Sequence, residues 1–139
     1  MALKISNRGQ VPPFVVMDVM RAATEREQAG ENVMHMEIGQ PDTSAPSGVI
    51  AAAKETLDQD RLGYTQALGI PPLRNAIAGH YQDTYGLSVN PEHVVVTTGS
   101  SCGFLLAFLS AFDAGDRVAL ASPGYPAYRN ILRAVNIEV

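Results

Sequence analysis

The chain has 139 residues, 46% hydrophobic and 17% charged, enough apolar material for one domain with a sizeable core. A net charge of -4 leaves no basic footprint for nucleic acid, and the absence of a long apolar run excludes a membrane-spanning helix. The single cysteine, Cys102, excludes an internal disulfide and fits a reducing compartment, so a soluble cytoplasmic protein is expected.

Residues 1–13 read as an irregular arm without the apolar core of a signal peptide. Pro12-Pro13 stiffens its end and opens a helix predicted from Phe14 to Ala29, with Val16, Val19, Met20 and Ala23 on one face and Gly30 as the stop. Met34 to Ile38 reads as a short strand, and Gly39-Gln40-Pro41-Asp42 as a loop in which Gly39 admits unusual dihedrals. Ser44 or Ser47 caps a second predicted helix running to about Asp58, with Ile50, Ala53 and Leu57 as its buried stripe. A loop from Arg61 to Gly69 carries Tyr64. Pro71-Pro72 opens a third helix with Leu73, Ile77 and Tyr81 on its inner face and Gly86 at its end.

Asn90-Pro91 turns the chain into the stretch that organises the rest, His93 to Leu109. Val94 to Val96 is a continuous β-branched run, as in a strand covered on both faces. Thr97 to Ser101 supplies small and hydroxyl residues for a tight turn. Phe104, Leu105, Leu106, Phe108, Leu109 and Phe112 follow in a helix apolar nearly all round, which predicts burial. A strand feeding a Gly-Ser-Ser turn at a helix start offers unpaired N–H groups and a positive dipole end, an anion site. A plain turn with Ser100 as N-cap is the other reading, and the stretch alone leaves both open. Cys102 reads as a buried structural thiol.

Asp113-Ala-Gly-Asp116 ends that helix, Arg117 to Ala121 reads as a second strand, and Ser122-Pro123-Gly124-Tyr125-Pro126 as a tight loop that fixes where Tyr125 points. Ala127 to Ala134 reads as a short helix and Asn136 to Val139 as the start of a third strand. The order, helices followed by β-α-β-α-β, predicts an α/β fold: a helical arm and small-domain segment, then the opening of a parallel, doubly wound large domain. His35, His80 and His93 are scattered without ligand spacing, so no metal site is expected.

Taken together, Gly39-Gln40-Pro41-Asp42, Tyr64-Thr65 with Gly69 and Leu73-Arg74, Thr98-Gly99-Ser100-Ser101, Gly115-Asp116, and Pro123-Gly124-Tyr125-Pro126 with Tyr128 resemble, in order, the class I/II aminotransferases, which depend on pyridoxal phosphate and share the aspartate aminotransferase fold. The resemblance runs from about Val11 to Val139. It implies that Gly99, Ser100 and Ser101 hold the cofactor phosphate and that Tyr125 stacks on the pyridine ring, where the residues alone also allow a surface turn tyrosine. Tyr64 matches a tyrosine that reaches the partner subunit's cofactor phosphate in a homodimer, against an ordinary loop tyrosine. Gly39 matches a position lying against the substrate carboxylate, against a simple turn glycine. The arm before Phe14 resembles a segment that embraces the partner. Expected substrates are an amino acid and a 2-oxo acid.

One departure matters. The family needs a Schiff-base lysine, and the two lysines here, Lys4 and Lys54, lie in the arm and in the second helix, neither in the matching context. The resemblance therefore implies the N-terminal portion of a family chain, with residues 1–45 as arm and small-domain segment and 46–139 as the first part of the cofactor-binding large domain. No catalytic residue is expected among these 139 positions, and no transaminase activity from them alone. A related pyridoxal-phosphate-dependent lyase and a non-catalytic assembly or sensor module are the alternatives. Without the family's later strands, open apolar edges and an uncovered helix are expected.

Overall fold

The computed structural model describes residues 3–60 and 62–139; the first two residues of the expected arm, and Arg61 at the head of the Tyr64 loop, lie outside the described residues. Five helices occur in chain order: α1 (Val15–Gln28), α2 (Ser47–Gln59), α3 (Pro71–Tyr85), α4 (Ser100–Ala111) and α5 (Pro126–Ala134), with single 3-10 turns at Asn7–Gly9 and Pro91–His93. Two compact units divide the chain, one of the residues up to Pro13 with Thr65–Val139, the other Phe14–Tyr64.

The helix ends follow the glycine and proline positions. α1 closes in a Schellman motif: Gly30, at φ 89°, donates to Glu27, and Glu31 donates to the Arg26 carbonyl at 3.1 Å. Arg26 and Glu31 reinforce it with an ion pair at 3.0 Å. Gly86 ends α3 in the left-handed conformation. α5 closes in the same way as α1, with Asn136 at φ 64° in the role glycine usually takes: Asn136 donates to Arg133, and Ile137 donates to Leu132 at 2.9 Å. Among the described residues Leu132 (0% exposed) and Ile137 (3%) are the most deeply buried apolar ones, so this cap is built around the core of its unit. α2 begins at Ser47 behind Pro46, and neither Ser44 nor Ser47 caps it.

Three expectations are corrected. The β-α-β-α-β segment does not form as a sheet among the described residues. Beyond the local bond of Val94 to Pro91, residues 94–96 make one backbone bond, Val96 N to the Leu68 carbonyl at 2.9 Å, and Met34 to Ile38 forms no backbone ladder with the described residues. The third and second expected strands meet in one parallel bridge between Arg117 and Glu138. Glu138 donates to Asp116 and accepts from Val118, both at 2.8 Å. A β-branched run biases the backbone toward extension, but a strand exists only where a neighbour completes its ladder. The observed architecture is thus helical with one parallel contact.

Helix α4 is the second correction. It is apolar nearly all round, yet none of its residues is buried, and Leu105, Leu106 and Leu109 are exposed. Among the described residues only α5 packs on it, and one neighbour covers one stripe of a helix. Cys102 is accordingly half-buried, not enclosed. The third concerns faces. α3 buries Arg74 and Ala78, while Leu73 and Tyr81 are exposed, so the helix is turned by one residue from the expected inner face. The Ile50–Ala53–Leu57 stripe of α2 is exposed too. No helix among the described residues is long and apolar enough to cross a membrane.

Candidate functional site

The turn ahead of α4 is built by backbone geometry. The Thr97 hydroxyl donates to the Gly99 carbonyl at 2.8 Å, and the Gly99 amide donates back to the Thr97 carbonyl at 2.9 Å. Gly99 then adopts φ 82°, ψ 166°, a region open to glycine alone. It occupies the N-cap position and no side chain caps the helix. Ser100 is the first helical residue, so the reading of Ser100 as N-cap is set aside.

The first helical bond runs from Gly103 to the Gly99 carbonyl at 3.4 Å. The amides of Ser100, Ser101 and Cys102 therefore have no acceptor among the described residues, and the two serine residues are exposed. Three unpaired donors, two hydroxyls and a positive dipole end form a donor set suited to a dianion. The space around Gly99 is open: a Cβ built there would meet nothing within 4 Å.

Tyr125 is the N-cap of α5, with Pro126 as first helical residue. The loop before it contains a cis bond at Ser122-Pro123, and Gly124 lies so close to the Ala121 carbonyl that a Cβ would sit 2.6 Å from its oxygen. The Tyr125 ring, half-exposed at 49%, meets Tyr128 edge-on at 5.3 Å and 78°. Tyr128 in turn meets Phe104 of α4 at 4.5 Å and 62°. Two ring-to-ring steps thus join the Tyr125 loop to the second turn of the helix that Ser100 begins. An open cleft of about 290 Å³ runs along the loop, lined by Leu120, Tyr125, Arg129 and Val139 among others; Gly99–Ser101 do not line it.

The two remaining expected site residues belong to the other unit. Tyr64 is fully exposed (110%). Gly39 is exposed and lies outside the left-handed region, so the dihedral freedom it admits is not used there. That unit also holds a charged cluster: His35 faces Glu37 through Nδ1 at 2.7 Å and Glu27 through Nε2 at 3.2 Å. The hydrogen bond to Glu37, then the one to Glu27, raises the His35 pKa above its usual value, and the bond from His35 lowers that of Glu37. Among the described residues no group of three or more His, Cys, Asp or Glu could hold a metal ion.

Arg74 and Tyr128 stand within the motifs of the resemblance, but the sequence assigns neither a task. The structure gives each one: Arg74 is buried with its Nε donating to the carbonyls of Pro91 and Val94, and Tyr128 is the middle ring of the ladder. A lone arginine, with no other Lys or Arg from Pro71 to Tyr85, was the available signal.

A family model described as aminotransferase class I and II matches residues 31–139. The chain is 57% identical over 136 residues to the valine–pyruvate aminotransferase of Mycobacterium tuberculosis, covering 98% of this chain and 35% of that protein. It is 37% identical over 120 residues to the (5-formylfuran-3-yl)methyl phosphate transaminase of Methanocaldococcus jannaschii, covering 86% and 32%. Among solved structures, an aminotransferase from Mycobacterium tuberculosis superposes with a TM-score of 0.93 at 55% identity, over 99% of this chain and 35% of that one. The aspartate aminotransferase of Thermus thermophilus with maleate gives 0.92 at 31% identity, over 99% and 36%. The chain thus spans about a third of the length of the relatives it matches.

Proposed function

The chain belongs to the class I and II aminotransferases, a family dependent on pyridoxal phosphate, and from that premise we propose that its residues supply the phosphate grip and ring cover for that cofactor in a transaminase acting on an amino acid and a 2-oxo acid. When bound, the cofactor supplies an electron-withdrawing ring for charge that develops at a substrate carbon.

The observation that carries the proposal is the set of unpaired amides at Ser100, Ser101 and Cys102 behind a glycine-only turn. These donors and the two serine hydroxyls bind the phosphate without prior rearrangement. Tyr125 covers the flat heterocycle. Its loop suits that task, because Gly124 and Pro126 restrict the backbone on both sides and Tyr128 braces the ring. Tyr64 reaches the cofactor phosphate of a partner subunit in a homodimer, a role its full exposure permits, and Gly39 lies against the substrate carboxylate. By role, residues 1–45 form the arm and small-domain segment and residues 46–139 the first part of the cofactor-binding large domain. The two lysines, Lys4 and Lys54, have no part in the grip.

The test is a titration of the protein with pyridoxal phosphate and with pyridoxal, which lacks the phosphate, followed by absorbance. The phosphate form is expected to bind more tightly by about tenfold or more, as charge-assisted hydrogen bonds require. Ser100→Glu, which places a carboxylate among the donors, abolishes the preference. Equal binding of the two compounds by the unaltered protein overturns the proposal.

A further inference from the structure

We propose that Arg74 is a positioning residue for the phosphate-gripping turn, setting the path of residues 91–96 so that the α4 amides are presented in one fixed geometry. The inference deepens the functional reading above and rests on it. Arg74 is 5% exposed, an expensive place for a guanidinium unless its donors find acceptors. Its Nε donates to two carbonyls, Pro91 at 3.0 Å and Val94 at 3.1 Å. Its Nη2 lies 3.3 Å from the Glu92 carboxylate but without hydrogen-bond alignment. Glu92 is well exposed, so solvent screens that ion pair and the two carbonyl bonds carry the attachment.

The Pro91 carbonyl also accepts from the Val94 amide at 3.1 Å, and the Asn90 side chain accepts from the Glu92 amide at 2.9 Å. The 3-10 turn and the guanidinium thus share an acceptor. Two residues further on, the Leu68 carbonyl accepts from Val96, and Gly69 packs so closely that a Cβ on it would lie 2.5 Å from Val96 Cγ2. Residues 68–74 therefore hold the extended segment at Pro91, Val94 and Val96, and the glycine-only conformation at Gly99 comes three residues after the last of these points. The amides of Ser100–Cys102 have no partner among the described residues, so their direction is inherited from this segment. Lysine keeps the charge but lacks the planar Nε–H, so it cannot reproduce the shared bond.

Arg74→Lys tests this with two readouts. The first, in ligand-free protein, is amide hydrogen exchange: the substitution is expected to speed exchange about tenfold at the hydrogen-bonded amides of Val94, Val96 and Gly99 and to leave α5 unchanged. The second is the binding ratio: affinity for pyridoxal phosphate falls about tenfold, while affinity for pyridoxal stays within about twofold. A general loss of structure would weaken both compounds together. Asn90→Ala, at an exposed residue that braces the same turn, gives a smaller change in the same direction and serves if Arg74→Lys does not fold. Unchanged exchange at Val94, Val96 and Gly99, or equal loss for the two compounds, overturns the inference. If the unaltered protein does not prefer pyridoxal phosphate, the functional reading fails, and the exchange result alone then decides for or against the positioning of the turn by Arg74.

Discussion

The ring of Tyr128 stands against that of Phe104 at 4.5 Å and 62°. This contact fastens the first turn of α5 to α4, and through Tyr125, 5.3 Å further along, it fastens the loop as well. Edge-to-face pairs of this kind contribute about 0.5–1.5 kcal/mol each beyond the area they bury. Tyr128→Leu keeps an apolar side chain and removes both ring contacts. It is expected to destabilise the protein by about 1–2 kcal/mol in urea unfolding and to weaken pyridoxal phosphate binding by loosening Tyr125. Unchanged stability would show that the ladder is incidental.

Two glycines should respond to alanine in opposite ways. Gly99 sits at φ 82°, ψ 166°, where an L side chain is strained by about 1–3 kcal/mol. Gly99→Ala should lower stability by that order and shift the α4 amides, although open space would receive the methyl group. Gly79 lies inside α3 with nothing within 4 Å of a Cβ, and Gly79→Ala should stabilise by about 0.5–1 kcal/mol through helix propensity. Thermal unfolding of the pair measures the contrast.

Close approach without room is the case at Gly124 and Gly69. A Cβ would lie 2.6 Å from the Ala121 carbonyl oxygen in the first and 2.5 Å from a Val96 methyl in the second. Gly69→Ala is also strained at φ 104°, and its Cβ would lie 2.8 Å from Val96 Cβ, so combining it with Val96→Ala, which removes the methyl but keeps that Cβ, should recover only part of its lost stability. Full recovery would show that backbone strain at Gly69 is negligible. Gly124→Ala meets backbone, which cannot retreat as a side chain can, so no single neighbouring substitution should rescue it.

The His35 cluster makes the stability of its unit depend on pH. The raised His35 pKa means a contribution fully present below the ordinary histidine value of 6.5 and lost as pH rises through the folded-state value. The lowered Glu37 pKa means a contribution present above the ordinary carboxylate value of 4.5 and lost as pH falls through the folded-state value. Both act together between those limits. His35→Gln should flatten the loss of stability on the alkaline side, read as unfolding midpoint against pH. The exposed setting makes the effect small and sensitive to salt.

Much of this protein was legible in the order of its residues. Pro71 opens a helix, and glycines at 30 and 86 close two, because backbone freedom is a property of the residue itself. The turn from Thr97 to Ser101 was legible for the same reason, and five short motifs in register carried the family. Pairing and facing were not. Val94–Val96 carries the bias of a strand, but its ladder depends on a neighbour that no local pattern specifies. The inner face of α3 was expected at Leu73, Ile77 and Tyr81. It lies instead at Arg74 and Ala78, because the carbonyls of Pro91 and Val94 wait there for a donor. Local conformation follows from each residue's own sterics, whereas burial and polar satisfaction depend on what another part of the chain brings alongside, and only the folded arrangement supplies that.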